Sequence, residues 1–183
     1  MKTEKRLNTA HIIWKILLII YLALLVVFGL ILIYDGRHFL YPMQRIETIS
    51  NNRALGYWNA NFIPLSHGTV CYIKTAFGMA DSFESVNYYT AVVNVFGNLL
   101  KFMPLAILLP LAFNGKKIGW VMLRCIIAVL FLETLQFVTM LGYFDIDDIL
   151  MNILGCTMGY GIYQIIALIQ INRQRLTVRL HTA

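Results

Sequence analysis

Four long apolar stretches constrain the fold of this chain more than any other feature of its sequence. A helix that crosses a bilayer needs about 20 mostly apolar residues, and helical structure satisfies its backbone groups there. The four stretches are residues 12–34, 89–113, 118–141 and 148–171. We therefore predict an all-α integral membrane protein that forms one domain over residues 1–183. It has about four transmembrane helices and a long loop, 35–88, between the first two.

The composition excludes most classes of soluble protein. Hydrophobic residues make up 59% of the chain and charged residues only 13%, whereas an average soluble domain has about 25% charged residues. This excludes a disordered chain, a secreted disulfide scaffold and an ordinary cytosolic enzyme. Membrane topology explains the net charge of +6 better than a nucleic-acid partner does. The sequence also lacks a phosphate-binding glycine loop that would indicate a cofactor. We therefore predict neither a cofactor nor a nucleic-acid partner.

The distribution of basic residues predicts the orientation in the lipid bilayer. Lys and Arg number four up to Lys15, two in the turn Lys116–Lys117 and three in the tail after residue 171, whereas segment 35–90 has four basic and four acidic residues. Because cytoplasmic loops carry the excess of Lys and Arg, we predict that both termini are cytoplasmic and that loop 35–88 is extracytoplasmic. The first stretch is then an uncleaved anchor, since it is longer than a signal-peptide core and no cleavage site follows.

Polar side chains recur at helical spacing inside these stretches. Each of three groups shares one helix face: Asn94, Asn98 and Lys101; Glu133 and Gln136; and Asp148, Asn152, Gly155 and Gly159. An ionisable side chain in the membrane costs about 2.5–3.5 kcal/mol, so we predict that Lys101 pairs with Glu133. At 1.5 Å per residue the three groups lie at similar depth, which predicts an outward-facing polar pocket. The alternative is that they only join helices.

The run Asp145-Ile-Asp-Asp148 precedes the fourth helix. Carboxylates are favoured at a helix N-terminus, so capping explains part of the run. The alternatives are a cationic ligand group or a divalent cation, which prefers carboxylate oxygens. We predict no metal site, although Asp145, Asp147 and Asp148 are weak candidates for metal ligands. Gly155 and Gly159 predict a close approach between helices, and the three cysteines are interpreted as buried structural thiols.

Four blocks of sequence occur together in one order. They are Asn61-Phe-Ile-Pro64, Asn94-Val-Phe-Gly-Asn98 with Pro104, Glu133-Thr-Leu-Gln136, and Gly142-Tyr-Phe-Asp145-Ile-Asp147-Asp148 with Asn152. Over about residues 12–170 the chain thereby resembles the VanZ-like family. It departs from that family at Lys101, where most members have an apolar residue.

The resemblance implies a multi-pass protein of the bacterial cell membrane that acts in the cell envelope. The namesake of the family is linked to resistance to teicoplanin, a glycopeptide antibiotic. Resistance is therefore one expected role of this chain, and the lipid bilayer is its expected surrounding.

Three hypotheses on function remain open. The first is a non-enzymatic factor that binds a lipid-linked cell-wall component or a glycopeptide antibiotic. Its candidate binding residues are Asn98, Lys101, Glu133, Gln136, Asp145, Asp147, Asp148 and Asn152. The second is a membrane-embedded enzyme that modifies a lipid-linked substrate, with Glu133 as general base and sole catalytic candidate. The third is a subunit or chaperone of another membrane protein.

Overall fold

The computed structural model describes the backbone of residues 2–30, 33–34, 39–40, 42–80, 86–113 and 117–182 and the side chains of 11–30, 42–66, 68–80, 86–113 and 117–172. Four helical segments are long and apolar enough to cross a membrane, which confirms the predicted all-α membrane fold. They are His11–Leu30, Tyr88–Ala112, Ile118–Thr139 and Ile146–Asn172.

The first span is shorter at its outer end than the predicted 12–34. Helix α1 runs Lys2–Leu30, and the apolar residues that follow include strand β1 (Ile33–Tyr34), which pairs antiparallel with β2 (Phe39–Leu40). Hydropathy alone does not separate a short apolar strand from the end of a helix, so the prediction was wrong here.

A break divides the second span into two helices. Helix α4 runs Tyr88–Lys101 and α5 runs Met103–Ala112, with Phe102 between them. Pro104, in the first turn of α5, has no N–H to donate to the carbonyl of Leu100, and its ring would clash with that carbonyl in a continuous helix.

The third span packs against the fourth, and the fourth also packs along both helices of the second span. Helix α6 runs Ile118–Thr139 and ends at Met140, which has a left-handed φ of 56°. Its buried face carries residues spaced four, four and three apart: Val121, Cys125, Val129 and Leu132. Helix α7 begins at Ile146 and continues to Thr182, beyond the predicted 148–171. All three cysteines are buried, as predicted, and none of them forms a disulfide with another described residue.

Two glycines bring α7 directly against the break between α4 and α5. A Cβ atom on Gly155 would lie 1.9 Å from the carbonyl oxygen of Leu99, and one on Gly159 would lie 2.2 Å from that of Met103. Neither position admits a side chain, because backbone atoms cannot move aside cheaply. The predicted close approach of helices at this pair is confirmed.

The predicted loop 35–88 contains regular structure. Helix α2 runs Pro42–Ala54, strand β3 runs Ala60–Asn61, and helix α3 runs His67–Ala76. Helix α3, of ten residues, is too short to span the membrane and packs along α4. Strand β3 pairs in parallel with β4 (Phe144–Asp145), which joins α6 to α7.

We call the end of the bundle where α6 ends and α7 begins the outer end, following the orientation predicted from charge. His11 lies at the opposite end, where its Nδ1 is 3.1 Å from the carbonyl oxygen of Leu111. Several charges behind that orientation lie outside the described side chains: the basic residues before 11 and after 172, Lys116, and the loop charges at 35, 37, 81 and 84. The orientation therefore stays a prediction.

Candidate functional site

A cavity of about 730 Å³ lies at the outer end, between α2, α3, α4 and the start of α7. Its lining includes six of the eight predicted binding residues: Asn98, Lys101, Gln136, Asp145, Asp147 and Asp148. The remaining lining groups include Thr48, Thr69, Thr90 and Tyr72 beside apolar side chains such as Ile49 and Met151. Such a mixture of apolar walls and convergent polar groups is typical of a ligand site.

The predicted pair of Lys101 and Glu133 is present. The Lys101 ammonium lies 4.0 Å from Oε1 of Glu133 and donates to Oδ1 of Asn98 at 3.0 Å. Asn98 in turn donates from Nδ2 to Oδ1 of Asp148. A continuous polar chain thus runs from Glu133 to the Asp148 carboxylate at the cavity wall.

Glu133 and Asn152 lie behind the cavity rather than in its lining. Both are completely buried, and Asn152 Nδ2 is 3.4 Å from Oε1 of Glu133. Among the described residues, no hydrogen-bond partner reaches Oε2 of Glu133 or Oδ1 of Asn152. Because a buried unpaired polar atom is costly, this pair is the least satisfied part of the site. We call Asn98, Lys101, Glu133, Asp148 and Asn152 the Lys101 network.

Gln136 does not join this network. Its Nε2 donates to the carbonyl oxygen of Gly29 at 2.7 Å and so attaches α6 to the last turn of α1. A helix leaves its last four carbonyls without partners in the helix itself, and a side-chain amide is one way to satisfy them. Tyr21 makes a similar link deeper in the bundle, where its hydroxyl donates to the carbonyl oxygen of Lys101.

Asp145 and Asp147 hold in place the segment between the first two spans, residues 42–80, which we call the outer segment. Asn61 Nδ2 donates to both Asp145 oxygens at 3.2 Å. The Asp147 carboxylate accepts from the backbone N–H of Leu65 at 2.7 Å and from that of Ser66 at 3.3 Å. Asp145 Oδ1 also accepts from the N–H of Asp147 at 2.9 Å. Two of the three predicted ligand-binding aspartates are thereby occupied by the protein itself.

Sequence reasoning missed two further residues of this junction. Arg53 donates from Nε and Nη2 to Oδ1 of Asn59, at 2.8 and 2.5 Å, and from Nη2 to the carbonyl oxygen of Phe137 at 3.0 Å. The buried Asn59 donates to the carbonyl oxygen of Gly142 at 2.8 Å and lies 3.3 Å from that of Phe137. A cation suits this place because the carbonyls at a helix C-terminus carry partial negative charge. We call Arg53, Asn59, Asn61, Asp145 and Asp147 the loop clasp.

Arg45 on α2 is a third residue that sequence reasoning missed. It lines the cavity, and burial lowers the pKa of its guanidinium from the ordinary value, while Tyr143 opposes this shift. Within the described part of the chain no ion pair joins it to a carboxylate. Its spacing of three and four from Thr48 and Ile49, which also line the cavity, is the sequence signal that indicates a shared helix face.

The aspartates do not assemble a metal site. Among the described residues no group of three or more His, Cys, Asp or Glu side chains is placed to hold a metal ion. Asp145 and Asp147 point their oxygens at amides of the outer segment, and Asp148 points toward Asn98. The divalent-cation hypothesis therefore gains no support from their geometry.

Comparison with known protein families matches residues 16–167 to the family described as VanZ/LLP1. The matched region includes most of the four spans and all residues of the Lys101 network and the loop clasp. No curated protein and no solved structure shows a significant match to the chain.

Proposed function

This chain belongs to the VanZ/LLP1 family, and from that premise we propose that it binds an amphiphilic component of the bacterial cell envelope in the outer cavity. It would do so as a multi-pass protein of the cell membrane with the cavity open to the extracytoplasmic side. The ligand class we propose is a lipid-linked cell-wall component, or a glycopeptide antibiotic that targets one.

The observation that carries this proposal is the position of Asp148. Its carboxylate lines the cavity while Asn98 holds one oxygen, and Asn98 itself is held by Lys101. A carboxylate accepts several hydrogen bonds, so Asp148 can accept more from sugar hydroxyls, amides or an ammonium group. It is the one predicted aspartate whose carboxylate the loop clasp does not use.

Arg45 and the neutral lining residues support the same ligand class. Arg45 has no carboxylate partner among the described residues, and a guanidinium in that state at a cavity wall suits a phosphate or carboxylate of the ligand. Thr48, Thr69 and Asn94 line the same space and offer hydroxyl and amide groups. Apolar residues between them suit the hydrocarbon or peptide part of an amphiphile.

Binding is tested with two probes on detergent-purified protein: the lipid-linked disaccharide–peptide precursor of the cell wall, and teicoplanin. Asp148→Ala should weaken the binding of at least one probe about tenfold, the loss expected for a charged hydrogen bond of about 1.4 kcal/mol. Thr157→Val is the matched control, because Thr157 is exposed on α7 away from the cavity. Equal affinity of wild type and Asp148→Ala for both probes contradicts the proposal.

A role in teicoplanin resistance follows as a separate proposal. Expression of the wild-type chain in a susceptible bacterium should raise the inhibitory concentration of teicoplanin, and expression of Asp148→Ala should not. If both chains raise it equally, resistance does not depend on this cavity.

The enzyme hypothesis has one observation in its favour, which is the buried Glu133 carboxylate with an oxygen that has no partner among the described residues. The Lys101 ammonium lies between Glu133 and the cavity-lining Asn98, so a general base at this position would act by way of that ammonium group. Incubation of the precursor lipid with purified protein, followed by mass spectrometry, distinguishes the two functions. A product that is lost in Glu133→Gln would establish an enzyme, whereas unaltered bound lipid supports a binding protein.

A further inference from the structure

Two turns of the outer segment hold large apolar side chains away from the protein. The first turn carries Leu55, Tyr57 and Trp58, and the second carries Phe62, Ile63 and Leu65. Each of these six side chains is between 65% and 74% exposed. We call these six residues the apolar rim. Large apolar side chains that are grouped on a protein surface can mark a site of interaction with a partner or a membrane.

The rim is held rigidly by the loop clasp. Asn59 and Asn61 lie between the two turns. Asn59 is fixed to the carbonyls of Phe137, in α6, and of Gly142, and Asn61 is fixed to the Asp145 carboxylate. The Asp147 carboxylate fixes the backbone of Leu65, which has a left-handed φ of 52° that a residue with a side chain rarely adopts. The protein thus uses hydrogen bonds to keep apolar side chains exposed, rather than to fold them inward.

The rim lies beside the end of α6, the third span. The Phe62 ring lies 5.5 Å from that of Phe144, and the Arg53 guanidinium lies 4.9 Å from the ring of Phe137 and 5.8 Å from that of Trp58. The adjacent Val138, in the last turn of α6, is 64% exposed. The rim therefore lies level with the outer end of a membrane-spanning helix.

The composition of the rim suits the headgroup region of a bilayer. Residues 54–66 contain no charged side chain but include Tyr57 and Trp58. Tyr and Trp are enriched where membrane meets water, because each has an apolar body and one polar group. The two turns themselves carry no charged side chain, and the neighbouring Arg53 packs its guanidinium against the Trp58 ring. An interface with a soluble protein typically has a more polar border than this.

We propose that the apolar rim inserts into the outer leaflet of the membrane at headgroup depth. The ligand of this surface is phospholipid, and the rim acts as a second membrane attachment beside the four spans. It places the neighbouring cavity next to the lipid phase. This inference does not depend on what the cavity binds.

Tryptophan fluorescence tests the insertion. A protein with Trp14→Phe and Trp120→Phe retains Trp58 alone and is reconstituted in phosphatidylcholine–phosphatidylglycerol vesicles whose acyl chains are brominated near the headgroup. We expect bromine to lower the Trp58 emission about twofold, and aqueous acrylamide to quench it weakly. The matched control carries Trp14→Phe, Trp58→Phe, Trp120→Phe and Glu47→Trp, because Glu47 is exposed on the polar surface of α2; its emission should show the opposite pattern.

Two results would overturn the proposal. Strong quenching of Trp58 by acrylamide without quenching by brominated lipid would place the rim in water. Protection from both reagents would mean that protein covers it, either a second copy of this chain or another subunit. Ile63→Cys labelled with bimane gives an independent reading if the tryptophan variants fold poorly, because the three native cysteines are buried and stay unlabelled.

Discussion

The loop clasp and the Lys101 network lie side by side at the outer end of the protein and are built from the same types of residue, yet they are paired very differently. In the clasp, the side-chain polar atoms of Asn59, Asn61 and both aspartates have partners at 2.5–3.3 Å. In the network, one oxygen of Glu133 and one of Asn152 have no partner within the part of the chain that the structure describes. The hydrogen bonds of the loop clasp are complete, as expected of contacts that hold a structure together. The Lys101 network keeps unused hydrogen-bonding capacity beside a cavity.

This difference divides a single run of sequence into two roles. Asp147 and Asp148 are adjacent, but a helix directs neighbouring side chains about 100° apart. Asp147 therefore faces the outer segment, and Asp148 faces Asn98 and the cavity. Two aspartates that are neighbours in the sequence thus have different roles. The direction in which each side chain leaves the helix decides whether it belongs to the loop clasp or to the ligand site.

The largest effect is expected from Lys101→Met, which leaves Glu133 buried without a cation. Removal of one partner from a buried ion pair typically costs about 3–5 kcal/mol, so the free energy of unfolding should fall by that order. A thiol-reactive dye measures unfolding in detergent, because all three cysteines are buried in the folded protein. The double variant Lys101→Met, Glu133→Gln should recover most of the loss; a single variant within about 1 kcal/mol of wild type would show that the pair is not energetically coupled.

Asn59→Ala should break the clasp with the next largest effect. It leaves the carbonyl of Gly142 and part of the Arg53 guanidinium without partners, and a buried unsatisfied group costs about 1–3 kcal/mol. The same dye assay should show a loss in that range, and Trp58 should become more accessible to acrylamide. Asn51→Ala, at an exposed position on α2, is the control and should stay within about 0.5 kcal/mol of wild type.

A comparison of Asp147→Asn with Asp148→Asn separates the structural role of the loop clasp from ligand binding most directly. Asp147→Asn replaces one acceptor of the backbone N–H groups at Leu65 and Ser66 by a donor, so stability should fall by about 1–2 kcal/mol with little change in ligand affinity. Asp148→Asn should have the reverse pattern, with a stability change below about 1 kcal/mol and an affinity about tenfold weaker. Calorimetry with the cell-wall precursor lipid, beside the dye assay, measures both quantities. Equal losses of stability and affinity in the two variants would show that Asp147 and Asp148 do not have separate roles.

Arg45→Gln should give the smallest change in stability, because no ion pair to a carboxylate is lost within the described residues; the change should stay within about 0.5 kcal/mol. Its effect on binding should be confined to ligands that carry a phosphate or carboxylate. The affinity for the precursor lipid should fall about three- to tenfold, which corresponds to about 0.7–1.4 kcal/mol. Arg45→Lys should restore part of it, and an Arg45→Gln variant that binds as tightly as wild type would place the anionic group elsewhere.

The sequence predicted the spans and the centre of the network because both follow from helical periodicity and from the cost of charge in lipid. Lys101 and Glu133 lie on different helices, and each needs a partner of opposite charge at similar depth. The close approach at Gly155 and Gly159 was likewise predictable, since small residues four apart indicate where two backbones meet.

The outer segment was not predictable in the same way. Residues 42–80 have no long apolar period, and their structure depends on contacts with distant residues, such as Arg53 with Phe137 and Asn61 with Asp145. One sequence alone does not identify such pairs. For that reason Asp145 and Asp147 were assigned to a ligand, and Arg45, Arg53 and Asn59 were not assigned to anything.

The most direct test of ligand binding in the outer cavity is a structure of the purified protein determined with the cell-wall precursor lipid at saturating concentration. We predict ligand density inside the cavity, with an oxygen or nitrogen atom within hydrogen-bonding distance of the Asp148 carboxylate and an anionic group at Arg45. Both clasp aspartates should keep their contacts with Asn61, Leu65 and Ser66. Bound lipid found only outside the cavity, or density in contact with Asp145 and Asp147 after they release the outer segment, would contradict it.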